Sequence, residues 1–97
     1  MTGGPQAPFQ DPDAIGPEQM PPVEVLLTDV IARLALAAHV YLAEEGKQPD
    51  LPGAECAIDV ASSTFERVKE RLRPEERLAI TQLLTETRMT FVRKRGL

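Results

Sequence analysis

The residues of this chain able to do chemistry are few: one histidine, one cysteine and scattered carboxylates and arginines. A general base or a metal ligand needs convergent partners. The acids that follow His39, Glu44 and Glu45, lie on the next turn or beyond, and Glu45 is off its face. His39 therefore reads as a helix-packing or surface histidine. Cys56 falls in the first turns of a helix, where a reactive thiol would need a basic neighbour; its neighbour is Glu55. It reads as a small, semi-buried hydrophobe. Asp59 and Arg88 form the sharpest pair. Asp59 follows the core position Ile58, and Arg88 follows Leu84 and Thr87, so both border apolar faces of neighbouring helices. A guanidinium fork on a carboxylate there would tie the helices in register, with Glu86 as an alternative partner across an oligomer. No glycine-rich loop or second anion-binding group accompanies Arg88, which favours a structural ion pair over ligand binding.

Two basic groups remain. Arg67, Lys69, Arg71, Arg73 and Arg77 cluster around one interhelical turn, and Arg93-Lys94-Arg95 closes the last helix. Glu66, Glu70, Glu75 and Glu76 interleave with the first group and no aromatic stacks among them. A solvated, dipole-complementing surface is expected, with nucleic-acid contact through residues 67–77 and 93–95 as the alternative. Paired carboxylates in a cleft, a nucleophile–base pair and a phosphate loop are all missing from the sequence. No catalytic, cofactor-binding or metal-ligating residue is expected, and the reading is not an enzyme.

These side chains must be positioned by helices, since nothing alternates with period two for long enough to make a strand. The first helix is expected from about Pro22 to Glu45, stopped by Gly46. Leu27, Ile31, Leu34, Ala38, Tyr41 and Leu42 form one face of it; Leu26, Val30, Ala37 and Val40 form another. A helix apolar around most of its circumference has to be buried around most of it. After a polar loop, the second helix runs from Pro52 to about Leu72, with Ala54, Ala57, Ile58, Ala61, Phe65, Val68 and Leu72 on one face. Arg73-Pro74 breaks the chain. The third helix runs from Pro74 to about Lys94, acidic at its start and basic at its end, with Ile80, Leu83, Leu84, Thr87 and Phe91 as its core face.

Of the 97 residues, the first 22 hold six of the nine prolines. Residues 1–21 therefore read as a flexible, disordered acidic Pro/Gly-rich tail, for which no function is the favoured reading and Phe9, Ile15 and Met20 as short docking anchors the alternative, and residues 22–97 as a three-helix domain. A domain this small buries only about 60% of its unfolded surface, so a second copy of the chain would add needed burial. The net charge of −4 and the pI of about 4.9 argue against a general nucleic-acid binder. A single cysteine excludes an intrachain disulfide and suits a reducing cytoplasm. Glu24, Asp29, Arg33 and His39 interrupt the apolar stretch 23–43, which argues against a membrane span.

From about Leu34 to Val92, some three fifths of the chain, the sequence resembles a bacterial family without assigned function, domain-of-unknown-function family eighteen forty-four. The matching pieces are Leu34-Ala35 with Ala38-His39-Val40-Tyr41-Leu42-Ala43-Glu44, Asp50-Leu51 with Ala54, Ile58-Asp59, Leu72-Arg73-Pro74-Glu75-Glu76, and Leu84-Thr85-Glu86-Thr87-Arg88 with Phe91-Val92. The chain departs from that pattern at Ala43, where glycine is usual, at Thr87, where leucine is usual, and at Arg73, which replaces a threonine cap. Loss of the cap is expected to weaken the start of the third helix by about 1 kcal/mol. The resemblance implies a compact helical protein and supplies no reaction or ligand.

The expected object is all-α: a long apolar first helix packed on a two-helix hairpin. The expected role is a non-catalytic interaction module, a cytoplasmic scaffold or adaptor. It would form a homodimer or larger homo-oligomer through Leu26, Val30, Leu34, Ala37 and Tyr41, because one hairpin cannot cover the first helix. A further, unidentified protein is a possible partner.

Overall fold

The computed structural model describes residues 16–43 and 48–96. Among them the chain is all-α, with α1 at Val23–Leu42, α2 at Leu51–Val68 and α3 at Pro74–Lys94. The acidic tail expected at residues 1–21, with the anchors Phe9 and Ile15, lies mostly outside the described residues. Where residues before α1 are described, Pro17–Gln19 make a 3-10 turn closed by the Gly16 N–H on Gln19 Oε1 at 2.8 Å. Met20 is exposed beside it.

α1 ends three residues earlier than its apolar pattern suggests. Ala43 leaves the helical region (φ −70°, ψ 146°), and its N–H is shared between the carbonyls of His39 and Val40. The Asp50 N–H then donates to the Tyr41 carbonyl at 2.9 Å, tying the start of α2 to the last turn of α1. Gly46, the expected stop, lies outside the described residues.

α2 starts one residue early because Asp50 caps it: its Oδ1 accepts the Gly53 N–H at 2.9 Å. That satisfies an amide the helix itself leaves unpaired. Gly53 is needed for this close approach, since a Cβ there would collide with the Asp50 carboxylate. α2 stops short of Leu72, giving way to a 3-10 turn at Lys69–Arg71. The cause is downstream, since Pro74 drives Arg73 into the extended region (φ −72°, ψ 156°). Arg77 reaches back to brace this turn, with Nη1 donating to the carbonyls of Lys69 and Leu72 at 3.2 and 3.1 Å.

α3 has the bounds its sequence implies. Its missing cap is partly made good: Glu76 Oε1 accepts the Arg73 N–H at 2.9 Å. A guanidinium cannot accept in return, so only this half of a capping box forms.

The helices run up, down, up. Glu24 at the start of α1 meets Arg71 in the 3-10 turn that follows α2, and His39 late in α1 meets Thr87 late in α3. The most extensive contact is between α1 and α2. Its seam is alanine: Ala35 and Ala38 on α1, with Ala54, Ala57 and Ala61 on α2, are all buried. Small side chains bring the two axes close. The large core residues lie around this seam in two clusters. One holds Ile31, Val68, Leu72, Ile80 and Leu84. The other holds Leu42, Ile58 and Phe91 with Ala38, Ala54 and Ala57.

Candidate interaction surface

Helical geometry sorts the α1 side chains. Ile31, Ala35, Ala38 and Leu42 recur at spacings of three and four and face inward. The opposite side is apolar as well. Val25 is 54% exposed, Leu36 65% and Val40 62%, with Leu26, Val30 and Tyr41 beside them. The charges on this outer face, Asp29 and Arg33, pair with each other one turn apart at 2.8 Å. The expected interface residues divide accordingly. Leu26, Val30 and Tyr41 lie on the outer face, and Ala37 is half-buried at its edge. Tyr41 therefore does not belong to the core face. Leu34 is half-buried and packs against both clusters, serving the chain's own core. Sequence reasoning did not place Val25 and Leu36 on this exposed face, although their spacing from Val40 carried the signal.

By length and composition α1 also passes for a membrane span, with an 18-residue window of mean hydropathy 1.7. In this fold its inner face is taken up by α2 and α3, and Glu24 in its first turn is held by Arg71 Nε at 3.2 Å.

A second surface lies between α2 and α3. It is an open groove of ≈ 630 Å³, floored by Phe65, Leu84, Met89 and Val92. Arg88, Arg93 and Glu66 stand at its rim. Glu66 pairs with Lys69 at 2.7 Å.

Asp59 and Arg88 do come together, though not as a register lock. Their atoms are 3.9 Å apart with both side chains at least half exposed, and the hydrogen bond of Arg88 goes to Ser62 Oγ at 3.0 Å. Each residue sits one position past the buried face, which turns its long polar end to water.

The polar contact that does join helices inside the bundle is His39–Thr87. Thr87 is fully buried, and its Oγ1 lies 3.1 Å from His39 Nε2. The Thr87 hydroxyl proton is given to the Leu83 carbonyl at 2.8 Å. Its oxygen is thereby left as an acceptor, so Nε2 carries the hydrogen. His39 is the packing histidine expected. Cys56 is exposed rather than semi-buried, because it points away from the face defined by Ala54, Ala57 and Ile58.

The basic cluster is largely engaged within the chain. Lys69 binds Glu66, Arg71 binds Glu24, and Arg73 binds Glu76 at 3.3 Å and Glu75 at 3.7 Å. Lys69 and Arg73 donate hydrogen bonds to the Glu66 and Glu76 carboxylates, which hold their protons more firmly than usual. Arg67 is exposed on the last turn of α2. Arg93 donates to Thr90, and the Arg95 guanidinium lies 5.5 Å over the Phe91 ring. Lys94 also lies at the exposed end of α3. No group of three or more metal-ligating side chains converges among the described residues.

No family model, curated protein or solved structure matches the chain.

Proposed function

We propose that this protein is a non-catalytic helical interaction module that pairs with further copies of itself through the outer face of α1. It would serve as a small cytoplasmic scaffold or adaptor. The observation that carries the reading is the exposure of Val25, Leu36 and Val40, together with Leu26 and Val30, on one helical face that also carries the Asp29–Arg33 pair. Contiguous exposed apolar area of this kind marks an interaction site. The Asp29–Arg33 pair neutralises its own charge, so closing a second copy over the face strands no unpaired ion. A two-fold dimer would set α1 against α1, each using the same residues. The likeness to domain-of-unknown-function family eighteen forty-four belongs to this proposal and rests on its quoted motif pieces.

The nucleic-acid alternative draws less support, because Lys69, Arg71, Arg73 and Arg77 already meet carboxylates or carbonyls of their own chain.

Light scattering on the full chain tests the proposal. The wild type is expected as a dimer or larger at micromolar concentration. Leu36→Glu and Val40→Glu are expected as monomers with unchanged helical circular dichroism. Leu34 is unsuited to this test, since a charge there would strike the core. A monomeric wild type would overturn the reading.

A further inference from the structure

The outer face of α1 carries a charge pattern as well as an apolar one, and the two together select how a second copy would lie on it. At about 3.6 residues per turn, Asp29, Arg33 and Val40 run up the middle of that face. Val25 and Leu36 follow one flank, Leu26 and Ala37 the other. The charged turn thus stands between an apolar pair nearer Pro22 and an apolar group nearer Leu42. The Asp29 and Arg33 side chains are 60% and 78% exposed, and their bond joins Arg33 Nε to Asp29 Oδ2. A guanidinium has donors beyond Nε and a carboxylate has a second oxygen, so each can bind a further partner without breaking that bond.

We infer that two copies pair antiparallel through α1, about a two-fold axis level with Ile31, and that Asp29 of each copy meets Arg33 of the other. The inference rests on the α1 reading above and adds its orientation and register. Position 31 is midway between 29 and 33, so this axis sets each Asp29 level with the partner's Arg33 and closes a square of alternating charges. The same axis brings Val25 level with the partner's Leu36, and Leu26 with the partner's Ala37, each to within about 1.5 Å along the helix. Each of these pairs shares a flank, as a two-fold across antiparallel helices requires. The spacing of the charges and the spacing of the apolar groups therefore select the same register. A parallel pair would instead set Asp29 against the partner's Asp29 and Arg33 against the partner's Arg33, opposing like charges as water leaves.

The double variant Asp29→Arg with Arg33→Asp tests this, because it keeps a pair of opposite charges one turn apart and, if antiparallel, its own dimer. It is refolded together with nitrogen-15-labelled wild type, and mixed dimers are counted by native mass spectrometry. In a mixed antiparallel dimer like charges meet at both levels. Its share is expected to fall several-fold below the statistical half, and to return toward half in about 1 M salt. A share of half at low salt would overturn the inference, and so would an excess of mixed dimers, which a parallel pair requires. Disulfide trapping reads the register directly. In a Cys56→Ser background, Val25→Cys mixed with Leu36→Cys is expected to cross-link on oxidation. Val25→Cys alone is not, its two sites standing about 18 Å apart. Trapping of Val25→Cys alone, or none in the mixture, would overturn the register. A dimeric wild type leaves the α1 reading standing in each of these cases, whereas a monomeric one would overturn both.

Discussion

His39 and Thr87 are separated by 48 positions in sequence and by one hydrogen bond in the fold. The Thr87 hydroxyl, committed to the Leu83 carbonyl, dictates the tautomer of its partner. Nitrogen-15 spectra of the single histidine are therefore expected to show the Nε2–H form; the Nδ1–H form would contradict the contact. Thr87→Val leaves that N–H without its acceptor in a packed interface. The expected loss is about 1 kcal/mol, seen as a Tm lower by about 4–8 °C for a domain of this size. An unchanged Tm would mean that water replaces the hydroxyl at no cost. The sequence allowed His39 to be read as a packing residue, because no acids converge on its helical face. Its partner was not legible, since helical spacing says nothing about which residues meet across a bundle. Asp59 and Arg88 illustrate the converse. Their approach could be read from the core positions before them, but their exposure could not, and exposure is what makes such a pair weak.

Helix starts set the acid response. The Glu76 carboxyl is held below its usual range, first by the Arg73 backbone N–H and then by the Arg73 guanidinium. Glu24 is lowered by its own backbone N–H at the start of α1 and by Arg71. A carboxylate lowered in the folded state stabilises that state above its unfolded pKa and loses the contribution as pH falls through the folded value. The urea midpoint is therefore expected to drop as pH is lowered from about 6 to about 3. Glu76→Gln should be less stable than wild type at the upper end and converge on it at the lower end. Parallel curves across the whole range would show that the Arg73–Glu76 contacts are too weak to matter. Element bounds were legible where proline punctuated them, as at α3. They shifted where a backbone contact decided the matter: Asp50 moved the start of α2 forward, and the extended Ala43 cut α1 short.

The bundle as a whole rests on a narrow alanine seam flanked by a few large side chains. Enlarging the seam should be costly. Ala38→Leu pushes α1 away from α2 at a fully buried position, and overpacking of this kind costs about 1–3 kcal/mol. Urea unfolding with an unchanged slope and a lower midpoint is the expected result; an unchanged midpoint would mean that the seam has slack. The three-helix architecture and the surplus apolar face of α1 were legible because hydrophobic periodicity counts how much surface needs covering. The α2–α3 groove was not, because it lies between two helices, and no single helix records how they meet. The up-down-up path has one more consequence. Pro22 and Gly96 lie at opposite ends of the bundle, separated by about the length of α1, or 30 Å. Circular permutation would need a bridge of about nine extended residues. Partners fused directly at Pro22 and at Gly96 would therefore start a full helix length apart, at opposite ends of the bundle.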